Sequence, residues 1–382
     1  MSVALAAVAV ASGIVGWSGE PLLLPIAMLF PAFWAFAPSR IGAVLVSAGY
    51  FLAASRGLPQ GVANFYGSGF GAGLALWIGA AVGFTLVHSV LWTARSSMVR
   101  ASRYLLVAML MSVPPFGIVG WAHPITAAGV VFPAWGWWGL AAAAIGLSVM
   151  TTRFWPITIL ILGGLWIWSA ATWTAPTVPE GWIGLDTKFG GGQDAYAGYD
   201  QHLETIAMVR AAAADGATVV VLPEGAAGIW TDTADRLWRS AFHDVDVTVN
   251  AGAIIVNAEG YDNVMLDLSR GEASVLYKER MPVPVSMWQP WLALSGQGGG
   301  AQAHFFANPS VEFAGKRIAP LICYEQLLIW PALQSAIYAP EIIVATGNGW
   351  WTTGTNIVAI QEAAAVAWAR LFDIPLILAF NT

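Results

Sequence analysis

The chain has a single cysteine, Cys323. It stands where an apolar run, residues 318–324 (IAPLICY), gives way to Tyr324 and Glu325. A lone cysteine is more often a small buried hydrophobe than a reactive group. Here polar residues follow the run directly, so the thiol sits where the chain leaves a sheet, with a carboxylate two positions on. A thiolate nucleophile needs a base or a positive neighbour to lower its pKa. Glu224 is a candidate base. It ends a β-branched run, 217–222 (ATVVVL), within Leu222-Pro223-Glu224-Gly225, where the glycine permits a tight turn. Lys278, in Tyr277-Lys278-Glu279-Arg280, is a candidate cation. Singly, these two read as a solvated turn carboxylate and a snorkelling surface lysine. Jointly they supply a Cys323 nucleophile, a Glu224 general base and a Lys278 that stabilises a tetrahedral oxyanion. No Cys–His pairing is evident: His202, His243 and His304 lie in polar or loop-like stretches. This chemistry needs no metal or organic cofactor, and one cysteine excludes an internal disulfide framework and any multi-Cys metal site.

The elements that must position these groups are strands alternating with helices. Strands are expected at 182–187, 217–222, 251–257, 318–324, 341–346 and 374–380, with a pair at 263–269 and 273–277 around Arg270-Gly271. Helical spacing covers 200–214, 232–242 and 355–370. Such alternation predicts an α/β fold with well-covered sheets. Residues 296–300 (GQGGG) form a flexible loop and not a phosphate cradle, because no helix start follows.

The rest of the chain differs in composition. Of 382 residues, 57% are hydrophobic and only 10% charged, where a soluble protein averages about 25% charged. Mean hydropathy is +0.65. These values exclude disorder and argue against a wholly soluble protein. The net charge of -6 excludes a simple nucleic-acid binder, which must neutralise phosphates. Residues 1–173 hold six arginines and one acid, Glu20, a net of +5; residues 174–382 carry a net of -11. The division predicts a transmembrane domain at 1–173 and a catalytic domain at 174–382. About seven spans are expected, near 3–19, 21–38, 41–55, 70–93, 104–122, 125–150 and 154–172. The loops bearing Arg40, Arg95, Arg100, Arg103 and Arg153 then face the cytoplasm, which puts residues after 173 outside it; Arg56 alone is misplaced. Trp17, Trp92, Trp121, Trp155 and Trp173 suit an interfacial belt, and His88 and His123 structural positions.

The order Leu-Pro-Glu, Tyr-Lys, Ile-Cys-Tyr-Glu resembles the nitrilase (carbon–nitrogen hydrolase) superfamily. With a polytopic half in front, the chain resembles its membrane branch, that of apolipoprotein N-acyltransferase, and more closely the TraB-type family of conjugal-transfer proteins. The resemblance implies an αββα sandwich, here lacking its last strands because the sequence ends at Asn381-Thr382. It assigns Glu224 as general base, Lys278 as the intermediate-holding lysine and Cys323 as the thioester-forming nucleophile. It further assigns Glu325 and Tyr324 as supporting residues. Residues 347–351 (GNGWW) are similar to the family's Asn-Asp-x-Trp-Phe stretch, which brings in Asn348. Two departures stand out. The family lysine is followed eight positions on by a glutamate, where this chain has Ser286. The Asp of the Asn-Asp pair is replaced by Asn348 or Gly349.

The implied activity is N-acyl transfer: a Cys thioester drawn from a phospholipid and passed to an amine, a lipoprotein N-terminus, in plasmid conjugal transfer. The implied location is the bacterial cytoplasmic (inner) membrane, with the catalytic domain periplasmic. The uncharged, proline-rich stretch 281–294 (MPVPVSMWQPWLAL) is expected to admit an acyl chain. Trp288, Trp291, Trp350 and Trp351 would form its lipid rim. Two other readings stay open: a membrane-tethered amidase, in which water resolves the thioester, and a non-catalytic membrane scaffold for conjugation.

Overall fold

A computed structural model describes residues 2–67, 69–190, 195–269, 271–296 and 298–382, except the side chains of 195–197, 293 and 294. Arg270, at the expected hairpin turn, and Gln297, in the expected loop 296–300, fall outside the described residues. The chain divides into two units. The first comprises Met1–Pro176, Leu327–Trp330 and Gly354–Asp373, and the second Thr177–Gln326, Pro331–Thr353 and Ile374–Thr382.

The first unit is helical, and part of its apolar residues form a buried core, while many large ones, such as Ile78, Leu86, Trp138, Leu160 and Trp168, are exposed. Phe30 stacks on Tyr50 with ring centroids 4.3 Å apart, and Phe51 on Phe84 at 4.8 Å. Trp17 Nε1 donates to the Tyr50 hydroxyl (2.8 Å), which donates to the Ala122 carbonyl (2.8 Å). Trp17, Trp34, Tyr50 and Phe84 are fully buried.

This corrects the expectation of a seven-span membrane domain. Among the described residues one helix, Phe70–Leu91, is long and apolar enough to cross a bilayer. A second qualifies only if Arg40–Ala54 and Leu58–Tyr66, bent by 50°, count as one span. The other apolar helices have 10–17 residues, below the roughly 20 a span requires. The expected span at 21–38 is a 3-10 segment, Pro21–Leu29, followed by a six-residue helix, Phe30–Ala35. That at 104–122 lies on a helix ending at Leu110. That at 125–150 is split into Pro124–Ala127, Ala128–Val131 and Gly136–Val149. Hydropathy does not fix helix length, and the apolar runs here fold as short helices broken at proline and glycine.

The second unit holds two sheets. The first contains β1 (Trp182–Gly184), β2 (Val219–Val221), β3 (Thr248–Val256), β4 (Tyr261–Ser269) and β5 (Glu272–Lys278), in that order. β1, β2 and β3 pair in parallel, and β3–β4 and β4–β5 antiparallel. The second contains β6 (Val311–Phe313), β7 (Lys316–Ile322), β8 (Ile342–Asn348) and β9 (Leu376–Asn381). β6–β7 is antiparallel, and β7–β8–β9 parallel.

Period-2 alternation then sorts the side chains. Val219, Val221, Met265 and Tyr277 of the first sheet meet Ile318, Ile322, Ile342, Val344 and Ile377 of the second in one core. Val220, Leu222, Val249, Val264 and Leu266 point the other way. There they pack with Ile206 and Val209 of helix Ala195–Ala214, and with Trp238 and Phe242 of helix Asp232–Phe242. The second unit is thus a mixed α/β layered fold with face-to-face sheets.

Candidate active site

The site lies where β2 and β7 end. After β2 the chain turns through Pro223-Glu224-Gly225. Gly225 has φ +73°, a left-handed conformation open to glycine. Neighbouring Gly252 on β3 lets this turn sit close: a Cβ there would lie 2.5 Å from Glu224 Cα and from the Pro223 oxygen, and 2.6 Å from Gly225 N. All three are backbone atoms, which cannot swing aside. Gly252→Ala is expected to destabilise the protein by about 1–3 kcal/mol, as overpacked sites do. It should also lower Cys323 reactivity, because the Glu224 turn must move. Chemical denaturation and thiol-alkylation rates check the two effects.

Cys323 follows β7 at φ +46°, unusual for a residue with a side chain and costing roughly 1–2 kcal/mol. Such strain persists only where the surroundings over-determine it. Glu325 provides that bracing. Its Oε1 accepts from the Tyr277 hydroxyl (2.7 Å), Arg280 N (2.7 Å) and Met281 N (3.3 Å). Its Oε2 accepts from Tyr277 (2.8 Å) and from Ile322 N (2.8 Å), the residue before the cysteine. Arg280 is completely buried. Its guanidinium donates to the Tyr277 hydroxyl (2.8 Å), Gln334 Oε1 (3.1 Å), Ser335 Oγ (3.1 Å) and the carbonyls of Pro320 (3.0 Å) and Pro331 (3.2 Å). This cation is committed to holding structure.

Glu224 is buried, and burial pushes its carboxyl up to about 7. Hydrogen bonds from Asn263, the Cys323 thiol and the Asn348 backbone N–H oppose that rise, while the charge of Glu325 adds to it. Asn263 Nδ2 donates to Glu224 Oε1 (2.7 Å) and also to Glu279 Oε2 (2.9 Å). A carboxyl poised near neutrality and bonded to a thiol can take the thiol proton. Glu224 opens onto a cleft of about 210 Å³, lined also by Thr187, Gln201, Asn348, Trp350 and Asn381. Asn381 fixes this wall: its Nδ2 donates to Asn348 Oδ1 (2.8 Å), and its Oδ1 accepts from the Thr187 hydroxyl (2.9 Å).

The structure therefore brings Glu224, Cys323, Glu325 and Asn348 together. Lys278 is placed elsewhere. Its register partner is Val264, which faces the helices, whereas Tyr277 pairs with Met265 in the core between the sheets. Lys278 Nζ pairs with Asp262 Oδ2 (2.7 Å), whose Oδ1 takes His304 Nε2 (2.6 Å). Burial works to raise the Asp262 carboxyl, but these two partners outweigh it and hold the group below its ordinary value. Tyr324 is half-buried beside the cysteine. Trp350 lines the cleft, and Trp351 Nε1 donates to the Asn348 carbonyl (2.9 Å). Trp288 packs edge-on against Phe305 and Trp291 is exposed; neither lines this cleft. Ser286 lies in the segment between β5 and helix Pro290–Leu294.

Asn263, Glu279, Arg280 and Asn381 are part of this constellation but carry no motif of their own, and Tyr277 enters it from the Tyr-Lys pair. Alternation along 277–279 is the signal for Glu279: if Tyr277 faces the core, so does Glu279, and Lys278 does not.

The carbon–nitrogen hydrolase family pattern matches residues 52–183 and 235–370. The chain is 58% identical over 383 residues to the conjugal transfer protein TraB of Agrobacterium fabrum, covering 98% of this chain and 91% of that protein. It is 56% identical over 370 residues to a probable conjugal transfer protein TraB of Sinorhizobium fredii, with 97% and 95% covered. Among solved structures, a mutant Nesterenkonia amidase of the nitrilase superfamily aligns with a TM-score of 0.37 at 15% identity, over 53% of this chain and 78% of that one. A carbon–nitrogen hydrolase from Helicobacter pylori aligns with a TM-score of 0.40 at 14% identity, over 52% and 72%. By the extent of the family match the chain belongs to the carbon–nitrogen hydrolase family, and by its relatives at 56–58% identity to the TraB family within it.

Proposed function

We propose that this protein is an acyl-transfer enzyme of conjugal transfer in which Cys323 forms a thioester. The observation that carries the reading is the buried Glu224 carboxyl, which lines a cleft and takes a hydrogen bond from the Cys323 thiol. Glu224 takes the Sγ proton, and the thiolate attacks a carbonyl carbon. The Sγ–C bond forms as the C=O pair moves to oxygen. Collapse expels the leaving group, which recovers the proton from Glu224. An amine then attacks the thioester, gives a proton to Glu224, and displaces Cys323, which takes that proton back.

The donor we propose is a membrane phospholipid, and the acceptor an amine such as a lipoprotein N-terminus. Leu74, Ile78, Val82, Leu86 and Val90 repeat every four residues along Phe70–Leu91, and all are exposed. Such a stripe supports attachment of this helix to a bilayer, in this reading the bacterial cytoplasmic membrane. A lipoprotein N-terminus would meet the enzyme on the periplasmic side. The test is intact-mass spectrometry of the purified protein incubated with phospholipid. A hydroxylamine-labile acyl adduct supports the reading. An unmodified protein with uncleaved phospholipid overturns it and leaves the non-catalytic scaffold.

The cleft favours a second reading, a membrane-tethered amidase. Its volume of about 210 Å³ lies below the range of drug-sized pockets, and its lining is rich in hydroxyl and amide groups. Turnover of small amides without lipid would select that reading. In either case Lys278→Ala is expected to lower the acylation rate less than tenfold, since its ammonium is engaged with Asp262 on the other face of the sheet. A loss approaching the 100- to 1000-fold typical of a missing oxyanion donor would return Lys278 to the site.

A further inference from the structure

The thioester reading leaves one function unassigned: a donor for the oxyanion. Arg280 is committed to five acceptors, and Lys278 lies on the outer face. Glu279, two residues after Tyr277, returns to the inner face, with its backbone N donating to the Asn263 carbonyl (2.9 Å). Its side chain is fully enclosed, at 1% exposure. Oε2 accepts from Asn263 Nδ2, the amide that also holds Glu224. Oε1 is buried and, among the described residues, has no hydrogen-bond partner. Buried polar atoms are almost always paired, and an orphan in a site points to a partner that arrives with the ligand.

Charge argues for the protonation state. Three carboxyls, of Glu224, Glu279 and Glu325, interact through their charges, and the buried cation nearby, Arg280, pairs with Glu325 alone among them. Glu325 has donors on both oxygens; Glu224 is held by Asn263, the Cys323 thiol and the Asn348 N–H, although its Oε2, like Glu279 Oε1, has no partner among the described residues. Glu279 has one donor. Burial, with the charges of Glu224 and Glu325 added, pushes its carboxyl well above the usual range. Neighbouring carboxyls cannot all ionise.

We propose that Glu279 is a neutral acid whose Oε1–H donates to the substrate carbonyl oxygen as Cys323 attacks, in the role a lysine ammonium would otherwise fill. This rests on the thioester reading. The proton stays on Glu279 throughout: the bond strengthens as negative charge gathers on the carbonyl oxygen and relaxes when the intermediate collapses. A carboxylic acid kept un-ionised by its surroundings is an effective donor of this kind.

The groups set against Glu279 are Asn263 on β4, which donates to it, and Glu224 at the end of β2, Tyr261 on β4 and Glu325 after β7, which feel its charge. The Asp262–Lys278–His304 group lies on the opposite face of the sheet. Burial and the charges of Glu279 and Glu224 push the Tyr261 phenol up to about 12.

The test measures acyl-enzyme formation with p-nitrophenyl butyrate by quenched-flow intact mass, from pH 5.5 to 10, for wild type, Glu279→Gln and Glu279→Leu. Wild type should show an acid limb near 7 from Glu224. Glu279→Gln, which still donates, should stay within tenfold at its optimum. Glu279→Leu should fall roughly 100- to 1000-fold. If Glu279→Leu acylates at the wild-type rate, or Glu279→Gln falls as far as Glu279→Leu, Glu279 is not the donor. If wild type never acylates on Cys323, the thioester reading falls and this inference with it. Should Glu279→Leu fail to fold, Glu279→Met, close in volume and without a donor, takes its place with the same expected loss.

Discussion

Cys323→Ala should leave no covalent adduct and no residual turnover above background. The chain has one thiol, so no neighbouring cysteine can rescue the reaction. Removing the nucleophile of a covalent mechanism costs on the order of 10⁶-fold in known cases. The fold should survive. Cys323 is a small buried side chain at a left-handed position, and alanine removes only its sulfur. The variant should also lose the thiol that partners Glu224, which leaves Asn263 and the Asn348 N–H to hold the base. Two measurements separate the outcomes: acyl mass on the protein, and lysophospholipid released to solution. Adduct lost with cleavage retained would mean that another group attacks and that the Cys323–Glu224 pair is structural. Both retained would remove the thioester reading altogether.

The legible part of this site was the part that ends strands. Cys323 follows an apolar run and Glu224 a β-branched one, each just before the chain turns, and the folded chain brings the two together. Lys278 looked equivalent because it also ends a strand, but ending a strand does not fix a face. A shift of one residue along β5 reverses the side chain, and only the pairing of Tyr277 with Met265 shows which residue enters the core. The bulge between Met265 and Leu266 sets that register, and no residue pattern announces it. Asn263 and Asn381 were invisible for another reason. Their roles come from partners 39 and 33 positions distant in the chain, Glu224 and Asn348.

The helical unit failed in the opposite way, through a strong signal with two causes. Runs of alanine, leucine and tryptophan suit a lipid-facing helix and a helix buried in protein equally well. Length separates them: Phe70–Leu91 has 22 residues, whereas Ser2–Gly16 has 15 and Gly136–Val149 has 14. Pro25 within 21–29, and the 3-10 and turn segments around 111–135, set those lengths. Breaks of this kind matter more to the span count than mean hydropathy does.

Glu224→Gln should sharply reduce catalysis and stabilise the protein, a combination that an ordinary structural residue does not give. Glutamine keeps the acceptor that Asn263 uses but cannot take the Cys323 proton. Loss of a general base costs typically 10²- to 10⁴-fold. The wild-type acylation rate should rise with pH through about 7 as Glu224 ionises, and the residual rate of the variant should lack that limb. For stability, the carboxyl is raised in the folded protein to about 7 from an ordinary 4.5. Between those values the unfolded chain has already released a proton that the folded chain still holds. The wild type is therefore favoured below pH 4.5, loses stability as pH rises through the window, and has lost the full amount above 7. At 1.36 kcal/mol per pH unit that amount is roughly 3 kcal/mol. Glutamine has no such loss, so the variant should exceed the wild type by up to about this much at pH 8 and by little at pH 4.5. Denaturant titrations at the two pH values measure the difference. Equal stability at both would mean that Glu224 is not held in the enclosed, proton-retaining setting that its role as base requires.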